Sequence, residues 1–206
     1  MTPQEPLPTA PSVPVSIDTH AAATLRYIRA SMEAATTVPV PGSAGIAMGT
    51  VGLVTAALTS SSGLHPYWLP LWLIAAVFAA GVGGALVARP ASWRVLARAG
   101  TPVRRLALCL LPSILGGAVL TAVDWRAGNT QVIPGTWLLL YGCALVAATV
   151  ATSRMIGLMG ALFMALGVLA LWTPDRLQIL LLGLGFGGLH IVFGCIIGRL
   201  GHGRQI

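Results

Sequence analysis

Few side chains in this chain could do chemistry, and His190 stands apart from the rest. It lies in Gly185-Phe-Gly-Gly-Leu-His-Ile191, with no charged residue between Arg176 and Arg199. An ionisable group inside an apolar helix is costly and marks a functional site by default. An imidazole there can ligate haem or a metal, relay protons, or line a polar path. It can equally sit neutral, hydrogen-bonded to a neighbouring helix. Tyr141, Thr149 and Ser113 are the partners on offer, and the sequence does not choose among them. A haem held between two histidines needs a second one within the membrane. His20 and His202 are expected in the cytoplasm and His65 in an outer turn, so none is available.

The other reactive residues carry less. Cys109, Cys143 and Cys195 all fall in apolar runs without a CxxC pair, where a thiol behaves as a small hydrophobe. No metal site and no cofactor are expected. Asp124 and Arg126, and Asp175 and Arg176, fall in connections, where solvated pairs contribute little. No carboxylate lies in an apolar run, which argues against carboxylate-coupled proton or cation transport. No Ser/His/Asp set, HExxH or carboxylate pair has usable spacing, so the reading is that this is not an enzyme. The stretch Gly183-Leu-Gly-Phe-Gly-Gly188 is not a nucleotide loop, because no strand precedes it and it sits inside an apolar helix.

Glycine recurs at helical spacing. Gly45 and Gly49, Gly183 and Gly187, and Gly194 and Gly198 form GxxxG pairs. Such pairs let helix backbones approach closely where lipid supplies no hydrophobic drive. They fit packing within one bundle, a dimer face, or a helix that slides. Pro70 and Pro112 fall within apolar runs and can kink them.

The elements that position these residues are legible from composition. The chain is 56% hydrophobic and 8% charged, with mean hydropathy +0.85. Soluble domains carry about 25% charged residues, so a water-soluble fold is excluded. Apolar runs at about 42–59, 67–88, 106–123, 136–152, 155–172 and 178–198 are long enough to cross about 30 Å of hydrocarbon. The expected fold is all-α, a polytopic membrane protein with six transmembrane helices arranged as three hairpins.

All 12 basic residues are arginine. Arg26, Arg29, Arg89, Arg94, Arg98, Arg104, Arg105, Arg154, Arg199 and Arg204 fall on one set of alternate connections. Only Arg126 and Arg176 fall on the other. The positive-inside rule then predicts both ends in the cytoplasm, N-in and C-in, in a bacterial inner membrane. Arg26, Arg29, Arg94, Arg98, Arg104 and Arg105 are expected to meet anionic lipid headgroups. The net charge of +7 needs no nucleic acid, since no basic patch is interleaved with exposed aromatics. Tyr67, Trp68, Trp72, Trp125, Trp137 and Trp172 fall near the proposed outer ends, where amphipathic rings belong.

The proline-rich residues 1–17 are expected to form a disordered tail, with no cleavable signal peptide. Residues 18–38 are expected to form a cytoplasmic amphipathic juxtamembrane helix, starting at an Asp18 or Thr19 cap. The six-span domain covers 39–200, and 201–206 form a cytoplasmic tail. The segments Gly45–Arg89, Leu110–Arg154 and Met155–Arg199 have equal length, with Trp72 and Trp137 in matching places and Leu182 in the third. That spacing fits three related hairpins.

Residues Thr24-Leu-Arg-Tyr-Ile-Arg-Ala-Ser-Met-Glu33, Trp137-Leu-Leu-Leu-Tyr-Gly142 and Gly185–Ile191 resemble segments of small bacterial multi-pass membrane proteins that carry no assigned activity. The glycine placement and the turn Trp172-Thr-Pro174 are similar to those of HdeD-like membrane proteins. The resemblance implies the fold class and no residue roles.

Three functions follow as expectations. The first is a membrane protein without a catalytic site that acts by helix association, as a homo-oligomer or with a membrane protein partner. The second is a transporter or channel for a small, weakly polar solute, with His190 on the path. The third is a haem- or quinone-associated membrane subunit.

Overall fold

The computed structural model describes residues 22, 24–28, 40–61, 63–88 and 102–202. The chain divides into two units, 1–36 and 37–206. In the first unit, residue 22 and residues 24–28 are helical, and the Arg26 Nε donates to the Ala22 carbonyl at 3.3 Å, one turn back. The expected tail, Arg29, and most of the juxtamembrane helix lie outside the described residues, as do Arg94 and Arg98.

The second unit is helical, with no strand among the described residues. Helix α1 is Gly42–Thr59, α2 is Trp68–Ala88, α3 is Pro102–Ala127, and α4 is Ile133–Ala147. Helix α5 is Arg154–Leu171, and α6 is Asp175–Leu182. A π-helical segment, Gly183–Leu189, then joins α6 to α7, His190–His202. Six stretches are long and apolar enough to cross a membrane: Gly42–Thr59, His65–Ala88, Arg104–Ala127, Thr130–Ala151, Arg154–Leu171 and Leu177–Leu200. The protein has the architecture of a multi-pass integral membrane protein. Five threonine hydroxyls within the spans are satisfied locally, as hydrocarbon favours. Thr50, Thr55, Thr59, Thr121 and Thr152 each donate to a carbonyl four residues back, at 2.6–2.8 Å.

Local chemistry sets the ends of the helices. Gly128 adopts φ +75°, the left-handed conformation that ends α3. Its N–H donates to the Trp125 carbonyl and that of Asn129 to the Asp124 carbonyl, closing a Schellman motif. Pro70 is the third residue of α2, where its missing N–H has no intrahelical role. Helix α3 runs through Pro112 and extends beyond the expected 106–123 at both ends. Arg104 and Arg105 sit in its first turn rather than before it. Polarity marks where a span leaves hydrocarbon, but it does not stop a helix.

The core lies where α1, α4, α5 and the Gly183–Leu189 segment converge. Leu138, Phe163 and Leu182 are fully enclosed there. Neighbours in sequence are not always the closest in space. Helix α4 packs along α5, to which the short segment 148–153 joins it, but α7 and the π segment pack along α1. Helices α2 and α3 are peripheral, with α2 on α1 and α3 on α4, and most of their apolar surface stays exposed.

Candidate functional site

The glycine pairs build this packing. A Cβ on Gly45 would lie 2.9 Å from the His190 carbonyl oxygen, and one on Gly49 would lie 2.7 Å from that of Gly187. On Gly194 it would lie 2.8 Å from the Gly42 carbonyl oxygen, and on Gly183 it would lie 2.8 Å from the Ala56 side chain. Gly187 faces Leu53, and Gly198 lies beside Gly42. All six glycines singled out in the sequence therefore meet backbone or side chains of the same chain. Gly142 and Gly160 make an equivalent backbone approach between α4 and α5.

This approach draws His190 into the interior. The imidazole is only 4% exposed and stands near the middle of its span. Of the three hydroxyls offered by the sequence, the structure pairs it with Tyr141. The Tyr141 Oη lies 2.8 Å from His190 Nε2, also at mid-depth. Phe163 and Phe186 complete the surround. Phe163 meets the imidazole edge-on at 5.4 Å, Phe186 lies parallel to it at 6.3 Å, and Tyr141 touches both phenyl rings at 4.9 and 5.1 Å. The carbonyls of Gly185 and Phe186 lie toward the imidazole, but Nδ1 has no partner within hydrogen-bond geometry. Among the described residues, it is the one buried side-chain nitrogen or oxygen left so.

The π segment shapes this wall. π turns inside α-helices are rare and concentrate at functional sites. Its alternate glycines meet different neighbours: Gly183 faces Ala56, Gly187 faces Leu53, and Gly185 faces Leu138 and Phe163. Core contacts line one side of the segment, so no side chain fits at these three positions, whereas Gly188 meets open space. Helical spacing alone shows the glycines and misses both the π winding and the roles of Phe163 and Phe186.

A cavity of about 60 Å³ adjoins the imidazole. It is lined by Met48 and Gly52 of α1, Ala75, Ala76 and Ala79 of α2, Trp137 of α4, and Phe186 and His190, among others. Trp72 also lines it and, like Trp137, turns toward the bundle. Trp72 is 3% exposed, and its indole N–H donates to Thr59 Oγ1 at 3.3 Å. The indole N–H of Trp137 donates to Thr121 Oγ1 at 2.7 Å. Each indole is held inward by a threonine on the preceding helix, whereas Tyr67, Trp125 and Trp172 remain exposed. With both indoles paired, His190 is the lining residue that carries an unpartnered buried polar atom.

Size limits what this space can take. An apolar cavity that binds a benzene ring measures about 150 Å³. A haem macrocycle or a quinone ring would have to displace these walls. Among the described residues, no three His, Cys, Asp or Glu side chains group as metal ligands. Cys143 and Cys195 lie exposed on the outside of the bundle. Arg104, Arg105, Arg154 and Arg199 lie in the first or last turns of α3, α5 and α7, and all are exposed.

Comparison with known protein families, curated proteins and solved structures finds no match.

Proposed function

We propose that this chain is a multi-pass protein of the bacterial cytoplasmic membrane, N-in and C-in, that binds a small, weakly polar solute with His190 on its path. The observation carrying this reading is the unpartnered Nδ1 of a buried histidine beside an apolar cavity. An unpaired buried polar group costs about 1–3 kcal/mol. A bound solute that pairs with it recovers part of that cost. Association through the six glycines is the weaker reading, because each of them already meets its own chain.

Native mass spectrometry of protein released from mild detergent tests the proposal. Wild type is expected to carry an additional small-molecule mass that His190→Leu lacks. Equal occupancy in both proteins, or none in either, overturns it.

A further inference from the structure

The hydrogen count at the buried pair specifies what the solute must offer. Neutral imidazole has one N–H and one lone-pair nitrogen, and tyrosine has one O–H. The pair therefore holds two donors. Its single mutual bond, at 2.8 Å, uses one of them. If Tyr141 donates to Nε2, the proton on Nδ1 is left over. If Nε2–H donates to the phenol oxygen, the Tyr141 O–H is left over. Either tautomer leaves one donor; the Gly185 and Phe186 carbonyls lie toward the imidazole but outside hydrogen-bond geometry with Nδ1. The complement is an acceptor.

The cavity walls specify the rest of the solute. About 60 Å³ admits a slim end group and excludes a ring. Three alanines, Ala75, Ala76 and Ala79, form the α2 wall, and Ala76 is exposed at the bundle surface. Helix α2 rests mainly on α1, leaving its other faces to lipid. The nearby groove of about 350 Å³ between α1 and α2 offers no comparable polar group. Its threonines, Thr50 and Thr55, already donate to the Ile46 and Val51 carbonyls.

We infer that the solute is a lipid-dissolved, unbranched apolar molecule ending in a carbonyl oxygen. It reaches the His190–Tyr141 pair laterally, past the alanine wall of α2, and accepts the leftover hydrogen. This inference rests on the solute-binding reading above and adds the ligand class and the side of access.

The test uses the full chain in lipid nanodiscs and a medium-chain methyl ketone labelled isotopically at its carbonyl carbon. Infrared spectroscopy separates that carbonyl from lipid esters. Wild type is expected to show a saturable, down-shifted carbonyl band beside the band of ketone dissolved in lipid. His190→Leu should lose the down-shifted band. Tyr141→Phe should keep it, because the imidazole retains its N–H. Ala79→Leu, which fills the cavity and leaves the pair intact, should lose it without any change in helix content. Absence of the band in wild type overturns the ligand class, whether the pair stays empty or holds water. Persistence of the band in both His190→Leu and Ala79→Leu overturns the site. A His190-dependent mass in the native spectrum without a ketone band would remove the ligand class alone. Absence of both would remove the solute-binding reading as well.

Discussion

Tyr141 and His190, separated by 49 positions in the chain, meet at 2.8 Å in the middle of the bundle. Each lies near the centre of its span, and neither has another side-chain partner. The bond fastens the fourth span to the sixth in a region otherwise held by aromatic and glycine contacts. Such a bond within a membrane contributes about 0.6 kcal/mol on average and up to about 1.7. It orients the imidazole more than it stabilises the fold.

That distinction gives a measurable coupling. Tyr141→Phe is expected to lower unfolding free energy in detergent by about 1 kcal/mol, chiefly by leaving Nε2 unpaired. The double variant Tyr141→Phe/His190→Leu should cost clearly less than the sum of the single changes. Additivity within error would show that the two side chains do not share a bond in the membrane.

The glycines separate by surroundings rather than by motif. Gly49→Leu drives a side chain into the Gly187 carbonyl and Ile191, so a loss of about 3 kcal/mol is expected. A Cβ at Gly84 meets nothing within 4 Å. Gly84→Ala should therefore be neutral or stabilising by up to about 1 kcal/mol. Thermal stability followed by size-exclusion in one detergent compares the pair. Equal destabilisation would mean that α1 and α7 do not approach as closely as described.

The two indole bonds predict a further asymmetry among the tryptophans. Trp137→Phe should lose the 2.7 Å bond to Thr121 and enlarge the cavity that Trp137 lines, whereas Trp172→Phe, at an 86% exposed position, should leave stability unchanged. Their fluorescence separates them too, because an enclosed indole resists aqueous quenchers. Efficient acrylamide quenching of a variant retaining only Trp72 would contradict its burial.

How much of this was legible in the sequence depends on the range of the cause. The spans follow from composition, and the turn before Arg154 from its shortness. Gly128 terminates α3 through a backbone preference that is local. The inward turn of Trp72 and Trp137 was not legible, because a tryptophan near a span end reads as interfacial unless the threonine that receives its N–H is known. The choice of Tyr141 over Thr149 and Ser113 depends on how α4 meets α7, a relation no local pattern encodes. The π winding was hidden for a different reason: Gly183 and Gly187 keep their i, i+4 spacing in the sequence whether the backbone bonds close four residues back or five.

The native cysteines lie off the cavity, so their accessibility does not report on it. Cys195 is close to His190 in sequence, which suggests it as a reporter of a polar path. The structure places Cys143 and Cys195 on the exposed outside of the bundle. Both should react with a lipid-soluble maleimide and resist a charged thiol reagent, whatever happens at the cavity. Labelling them should leave His190-dependent solute retention intact, since neither residue lines the cavity. A cysteine at Ala79 within a cysteine-free background should instead lose that retention when labelled, because the adduct fills the space beside the imidazole. Retention lost on labelling Cys195 and kept on labelling Ala79→Cys would place the solute elsewhere in the bundle.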